Sequence, residues 1–316
     1  MTLNLEGLYA EHRQFLWALC YRMTGNAADA DDAVQDTFVR ALQHPPRRTE
    51  TPLRPWLVRV ALNLSRDLLR KRRRRDYVGP WLPSPIETGE DADPPSHEPS
   101  TDGATTLEGR YDLLESVSFA FLLAIETLTP TQRAVLLLRD VFDYSVKETA
   151  DALDRSQANV KTTHHRARQS MDAYNRNRQT PTRERQAAAG RALRQFLERL
   201  AAHDVAGIEA LLADEVRTTT DGGGEFRAAL RPIVGREKVM RFYLAIVELT
   251  RGAAVRSVTL NGGPGVVVEA PTLPKERMAP RTAMTLELDA VGRISHLYVV
   301  SATRKLSAVS SESQRL

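Results

Sequence analysis

Arg54 to Arg75, RPWLVRVALNLSRDLLRKRRRR, decides how the rest of the chain is read. On a helix, Leu57, Val60, Ala61, Leu64 and Leu68 recur at the three-and-four spacing of one apolar stripe, which predicts a face packed on a core. Arg59, Asn63, Arg66 and Arg70 recur on another face, and the helix runs on into Lys71 and the arginines 72 to 75. That face is cationic with one amide set into it. Most charge runs are solvated surfaces with no specific partner. A nearly acid-free basic face beside a well-formed apolar stripe favours a polyanion instead.

Upstream, Leu8, Phe15, Leu16, Leu19 and Cys20 keep a helical period up to Met23, and Thr24-Gly25-Asn26 ends it and starts another. Asn26 is a candidate cap. Asp29, Asp31 and Asp32 then fall in the first turns, where carboxylates suit the positive end of the helix dipole. Capping does not explain why Asp32, Gln35 and Asp36 share one face opposite Val34 and Phe38. Pro45, Pro46 and Pro55 break the chain before the basic helix.

The remaining bounds come from composition. At 316 residues and 42% hydrophobic content the chain can bury real cores in two or three domains. A formal charge of +4 is modest for a nucleic-acid binder, so the location of the positive charge matters more than its sum. Cys20, alone and within FLWALCYRM, excludes an intramolecular disulfide and a cysteine-based zinc site and reads as a small buried hydrophobe. Neither a signal segment nor a membrane-length apolar run is visible, which predicts a soluble cytoplasmic protein without a membrane partner.

From Tyr77 the chain turns rich in Pro, Asp, Glu, Ser and Gly, the composition of an extended tether. Trp81 and Leu82 are out of place in a tether and are expected to dock on a neighbouring domain. Helical periodicity returns from Tyr111 through Leu114, Val117, Phe121 and Leu122 to Leu128. Thr129-Pro130-Thr131-Gln132 and Ser145-Val146-Lys147-Glu148 are helix starts, and Ser156 caps SQANVKTTHHRARQSM. Short helices, a tight turn and a basic last helix make a helix-turn-helix. On that last helix Val160, Ala167 and Met171 face inward, leaving Lys161, Thr162, His165, Arg166 and Arg168 to project towards a groove. His164 and His165 point about 100° apart on a helix, which argues against a shared metal.

Beyond residue 185, ERQAAAGRALRQFLERLAAHDVAGIEALLADEV supplies two helices and Arg236 to Leu249 a third. Around them lie strand-like runs, with Thr282, Met284 and Leu286, and Ile294, His296, Tyr298 and Val300, showing alternation. Such a set is an α+β unit.

The helix DADDAVQDTFVRAL, the proline-broken loop and the basic helix together resemble region 2 of bacterial extracytoplasmic-function (group IV) sigma factors. The helix-turn-helix that follows resembles their region 4. The third segment resembles a SnoaL-like domain. YVGPWLPSP at 77–85, DGGGE at 221–225 and NGGPG at 261–265 resemble marks of the sigma factors that carry such a domain fused behind region 4; Ser84, Glu225 and Gly263 depart from the usual pattern. The expected architecture is multidomain: two all-α sigma domains, a region 2 bundle over 5–77 and a region 4 helix-turn-helix over 111–175, with a flexible linker over 78–110, then an α+β cone over 185–306 and a disordered tail over 307–316.

The resemblance implies a promoter-specificity subunit of RNA polymerase, neither an enzyme nor a cofactor or metal protein, and a monomer when free. Asp32, Gln35 and Asp36 would dock on core polymerase. Asn63 would line the pocket for a flipped minus-ten base, with Trp56 and Arg59 nearby and Arg66 and Arg70 along the phosphates. Lys161 and Arg166 would meet base edges of the minus-thirty-five duplex, with Thr162 and Arg168 nearer its phosphates and His165 beside them. Trp81, Leu82 and Pro83 would meet Asp221, Gly222, Gly223 and Gly224 in a regulatory contact between the tether and the third domain. Cones of this kind enclose pockets, so a small ligand bound without turnover is favoured there over catalysis. A one-component ligand-sensing regulator is the alternative, though it leaves 5–77 without a role. Catalysis through Asp221, His296 and Tyr298 rests on fold analogy only.

Overall fold

The computed structural model describes residues 5–44, 53–74, 77–88, 111–178, 181–270 and 278–310. They divide into two compact units, one drawn from 5–74 with 111–178 and the other from 77–88 with 181–310.

In the first unit α1 (Leu5–Thr24), α2 (Ala27–Gln43) and α3 (Leu53–Arg74) form a bundle. Asn26 caps α2 as expected, its side chain accepting the Asp29 N–H at 3.1 Å. Leu16, Leu19, Cys20, Val34, Phe38, Leu57, Ala61 and Leu64 fill the core. Val58, Leu62, Ser65 and Leu69 are buried too, so the apolar side of α3 is wider than the sequence stripe. The cause is a second layer: α3 also packs on α5 (Pro130–Asp140) and α6 (Val146–Leu153).

Those helices belong to a helical set completed by α4 (Phe119–Ala124), α7 (Gln157–Ser170) and the short α8 (Asp172–Asn177). Both helix starts expected at Thr129 and Ser145 are present, each closed by a capping box, and Asp154 takes a left-handed φ of 54° in the turn before α7. The continuous helix expected from Tyr111 to Leu128 is instead α4 between two 3-10 turns. Ser118 caps α4 by accepting the Phe121 N–H, and buried Arg22 of α1 donates to Ser116 Oγ at 2.7 Å and the Leu113 carbonyl at 2.9 Å. A tertiary partner has taken acceptors near the start of the helical pattern.

More such ties join the two helical segments. Arg133 donates to the Met23 carbonyl at 2.8 Å, and Glu126 pairs with Arg133 at 2.8 Å and Arg72 at 2.6 Å. Burial would raise Glu126, but the two guanidiniums outweigh it and hold the carboxyl below its usual 4.5. Burial also pulls Arg22 down to about 10. Segments that read as separate domains therefore share one polar seam.

The second unit contains α9 (Arg183–Ala201), α10 (Val205–Leu211), β1 (Leu212–Asp221), β2 (Ile233–Val234), α11 (Arg236–Leu249), β3 (Ala254–Leu260), β4 (Gly263–Glu269), β5 (Arg281–Leu288) and β6 (Ile294–Val300). The six-stranded sheet runs β2-β1-β6-β5-β4-β3, with β1 and β6 parallel and the other pairs antiparallel. Leu193, Phe196 and Leu200 of α9 and Val239 and Tyr243 of α11 close over Val216, Val266, Met284, Leu286, Leu297 and Val299. This is the α+β cone. A register shift at Glu287/Leu288 places Ile294 in that core with Leu297 and Val299, so Ile294 does not share the face of His296, Tyr298 and Val300 as the alternation predicts.

Two boundaries need correction. Residues 78–88, expected to begin a flexible linker, are built into this unit, as is Tyr77, expected to end the region 2 bundle: Asn261 and Ile86 exchange backbone and side-chain hydrogen bonds, the Thr88 N–H bonds to Thr259, and Glu87 pairs with Arg256 at 2.9 Å. The segment adds itself to the open edge of β3, which explains how polar tether composition becomes ordered. Residues 307–310, expected in a disordered tail, are held likewise: Val309 is buried and Arg256 donates to the Ser310 carbonyl. The rest of those two segments, 89–110 and 311–316, lies outside the described residues.

Candidate nucleic-acid interface

On α2, Asp32, Gln35 and Asp36 are exposed while Val34 and Phe38 are buried, the division the pattern predicts. Asp31, next to them, is drawn away by the Trp17 indole at 2.8 Å. The same exposed face continues into Val39 and Leu42, which show 46% and 59% of their surface. Two exposed aliphatic side chains beside a carboxylate patch suit a protein partner.

On α3, Asn63 and Arg70 are exposed, and Arg70 pairs with Asp67 at 2.9 Å. Trp56 is half-buried. Arg59 and Arg66 are not simply wet. Arg59 donates to the Asp151 carbonyl of α6, and Arg66 to Thr131 of α5 at 3.3 Å and to Asn63 at 3.4 Å. Burial, then Arg70 and Arg155, lower the Arg66 pKa. Arg72 also departs from the outward-facing basic run expected to meet a polyanion, because it is bound to Glu126 and to the Thr24 carbonyl. The side chains of Arg73, Arg74 and Arg75 lie outside the described residues.

On α7 the outward row is open: Lys161, Thr162, His165 and Arg166 are all exposed. Arg168 differs, since its guanidinium bonds back to Asp140 of α5.

The second unit brings together the tether and glycine motif. Asp221, 1% exposed, accepts from Tyr77 Oη at 2.6 Å, from the Gly223 N–H at 2.9 Å and from the Leu82 N–H at 2.8 Å. Lys305, 4% exposed, donates to Asp221 and to the Leu82 carbonyl, with its ammonium 4.9 Å from the Tyr77 ring centre and 4.4 Å from that of Trp81. Gly223, at φ 62°, could carry no side chain, as a Cβ would stand 2.7 Å from Ala302. Glu225, where a basic residue is usual, accepts the Thr303 N–H. Lys305 and the Glu87–Arg256 pair were not legible in the sequence, since a lone lysine carries no spacing signal, and Tyr77 was legible only as the first residue of the tether motif.

Asp221 is thus committed to the tether. It lies opposite Val300 in the β1–β6 register, whereas His296 lies opposite Arg217, ~13 Å along the strand. Tyr298 instead meets Glu287, which burial pushes up to about 7. The catalytic trio that fold analogy suggests is not assembled. Among the described residues no group of three or more His, Cys, Asp or Glu could hold a metal ion, and no helix is long and apolar enough to cross a membrane.

The profile of sigma-70 region 2 matches residues 8–75 and that of sigma-70 region 4 matches residues 118–171. The chain is 32% identical over 238 residues to the ECF RNA polymerase sigma factor SigJ of Mycobacterium tuberculosis, covering 75% of this chain and 71% of that protein. It is 38% identical over 172 residues to SigG of the same species, covering 51% of this chain and 45% of SigG. The crystal structure of M. tuberculosis SigJ superposes with a TM-score of 0.69 at 26% identity, covering 96% of this chain and 98% of that one.

Proposed function

The chain belongs to the extracytoplasmic-function RNA polymerase sigma factors, and from that premise we propose how its faces divide the work. It directs bacterial RNA polymerase to specific promoters and is not an enzyme. The one-component alternative is set aside, because residues 8–75 have a sigma-factor role.

The α2 face of Asp32, Gln35 and Asp36, rimmed by Val39 and Leu42, docks on core polymerase. Asn63 on α3 holds an extruded minus-ten base while Trp56, Arg59, Arg66 and Arg70 flank it. In the free chain α5 and α6 hold Arg66 and Arg59, so docking on core is the step that parts region 4 from α3 and releases them. Lys161, Thr162, His165 and Arg166 of α7 face the minus-thirty-five duplex. This role places the protein in the cytoplasm, as a monomer until core is met.

The cone regulates by gripping 77–88 through Trp81, Leu82, Pro83, Asp221 and the glycines 222 to 224, with Lys305 at the centre. A cavity of about 640 Å3 beside Glu87, Thr88, Gln186, Ala308 and Ser310 is where a small ligand would bear on that grip. The observation carrying the reading is the coexistence in one chain of an acidic docking face, an amide-bearing basic helix and an open recognition helix. Run-off transcription with purified core polymerase tests it: promoter-dependent transcripts are expected, and none from either the full chain or a chain ending after about residue 180 overturns it.

A further inference from the structure

Asp140, the last residue of α5, is 4% exposed although it is a carboxylate. Its Oδ1 meets His164 Nε2 at 2.8 Å, and its Oδ2 accepts from Arg168 Nε at 3.1 Å. Arg168 Nη2 adds a longer bond to Oδ1 at 3.4 Å. The Tyr111 N–H donates to the Asp140 carbonyl at 2.9 Å, which ties down the backbone of the acceptor as well. Both donors stand on α7, one turn apart.

Their places around that helix give the contacts a consequence. At 100° per residue, Lys161, Thr162, His165 and Arg166 cover an arc of about 140°, and Val160, His164, Ala167 and Met171 an arc of about 60° on the opposite side. Val160, Ala167 and Met171 are buried. His164 is the polar member of this inward row, and Arg168 stands on its border. Apolar contacts alone are non-directional and let a helix roll by small angles. A carboxylate that receives two side chains is directional, and it fixes the azimuth at which the outward row meets base edges.

We propose that Asp140, through His164 and Arg168, sets the rotation of α7 and so determines minus-thirty-five specificity, with Arg168 a positioning residue and not a phosphate contact. This rests on the reading of α7 as the groove-entering helix.

The test uses the full chain, a duplex that it enriches from a randomised library, and a random duplex of equal length, each titrated over a salt series. Arg168→Ala is the primary variant, because its half-exposed side chain can be removed without opening the core. The expected result is an unchanged salt slope with the preference for the enriched duplex reduced about tenfold, the scale of one base-edge contact. A slope shallower by about one unit with the preference intact makes Arg168 a phosphate contact and overturns the proposal. In Asp140→Asn the released guanidinium should steepen the slope by about one unit while the preference falls. An undiminished preference in both variants also overturns it. Lys161→Ala combined with Arg166→Ala separates the premise: if this pair keeps the preference, or the wild type enriches no sequence, α7 is not the reader and the proposal falls with it. If the pair loses the preference while Arg168→Ala and Asp140→Asn keep it, only the positioning claim fails.

Discussion

Lys305 and Asp221 form a nearly fully buried ion pair, and such pairs are costly to break from one side because the remaining charge stays uncompensated. Lys305→Met should therefore destabilise the full chain by about 3 kcal/mol and loosen residues 77–88. Urea unfolding measures the first effect and Trp81 quenching the second; wild-type values for both would remove the grip from the regulatory reading. Asn63 presents the contrasting case of an exposed amide with little structural duty. Asn63→Ala should leave stability and core binding intact while open-complex formation loses selectivity at a single base position. Equal open complexes on all substituted templates would count against the flipped base. The family resemblance marked Asp221 and Asn63, whereas Lys305 became visible only when the residues after β6 returned to the end of β1.

At the scale of elements, the caps were legible because they depend on a few adjacent residues. Asn26, Ser145 and Ser156 each accept the N–H three residues on. The face of α2 was legible for a related reason, since burial of Val34 and Phe38 leaves Asp32, Gln35 and Asp36 outside at helical spacing. Replacing Asp32 and Asp36 by arginine should leave the helical content unchanged and abolish core binding, read by co-elution with core polymerase. Normal affinity would remove the docking assignment. Less local features escaped. The two-residue β2 is too short for a period-two pattern, and the break of the helix between Tyr111 and Leu128 depends on Arg22, which lies about ninety residues away in sequence.

For the whole molecule, the seam within the helical unit converts pH into stability. Glu126 is held below 4.5 in the folded chain, with Arg133 and Arg72 outweighing the effect of burial. Its pairing contributes fully above 4.5, its unfolded value, and the contribution is lost as pH falls through the depressed folded value. Glu126→Gln should be less stable than wild type at neutral pH, and the gap should close as both are acidified. A gap that persists unchanged in acid would show that the pairing is not what joins the segments.

Helical and strand periods, caps and the family motifs are properties of neighbouring residues. From them the sequence alone determined two helical sigma segments, a following α+β unit and the faces each helix turns outward. Tertiary structure decided which polar groups are used internally. Arg22, Arg72 and Arg133 look like ordinary surface charges until the acceptors Leu113, Glu126 and Met23 arrive from distant parts of the chain. Arg168 and Lys305 likewise gain their roles only when Asp140 and Asp221 are brought beside them, because a buried carboxylate selects its cation by proximity in space.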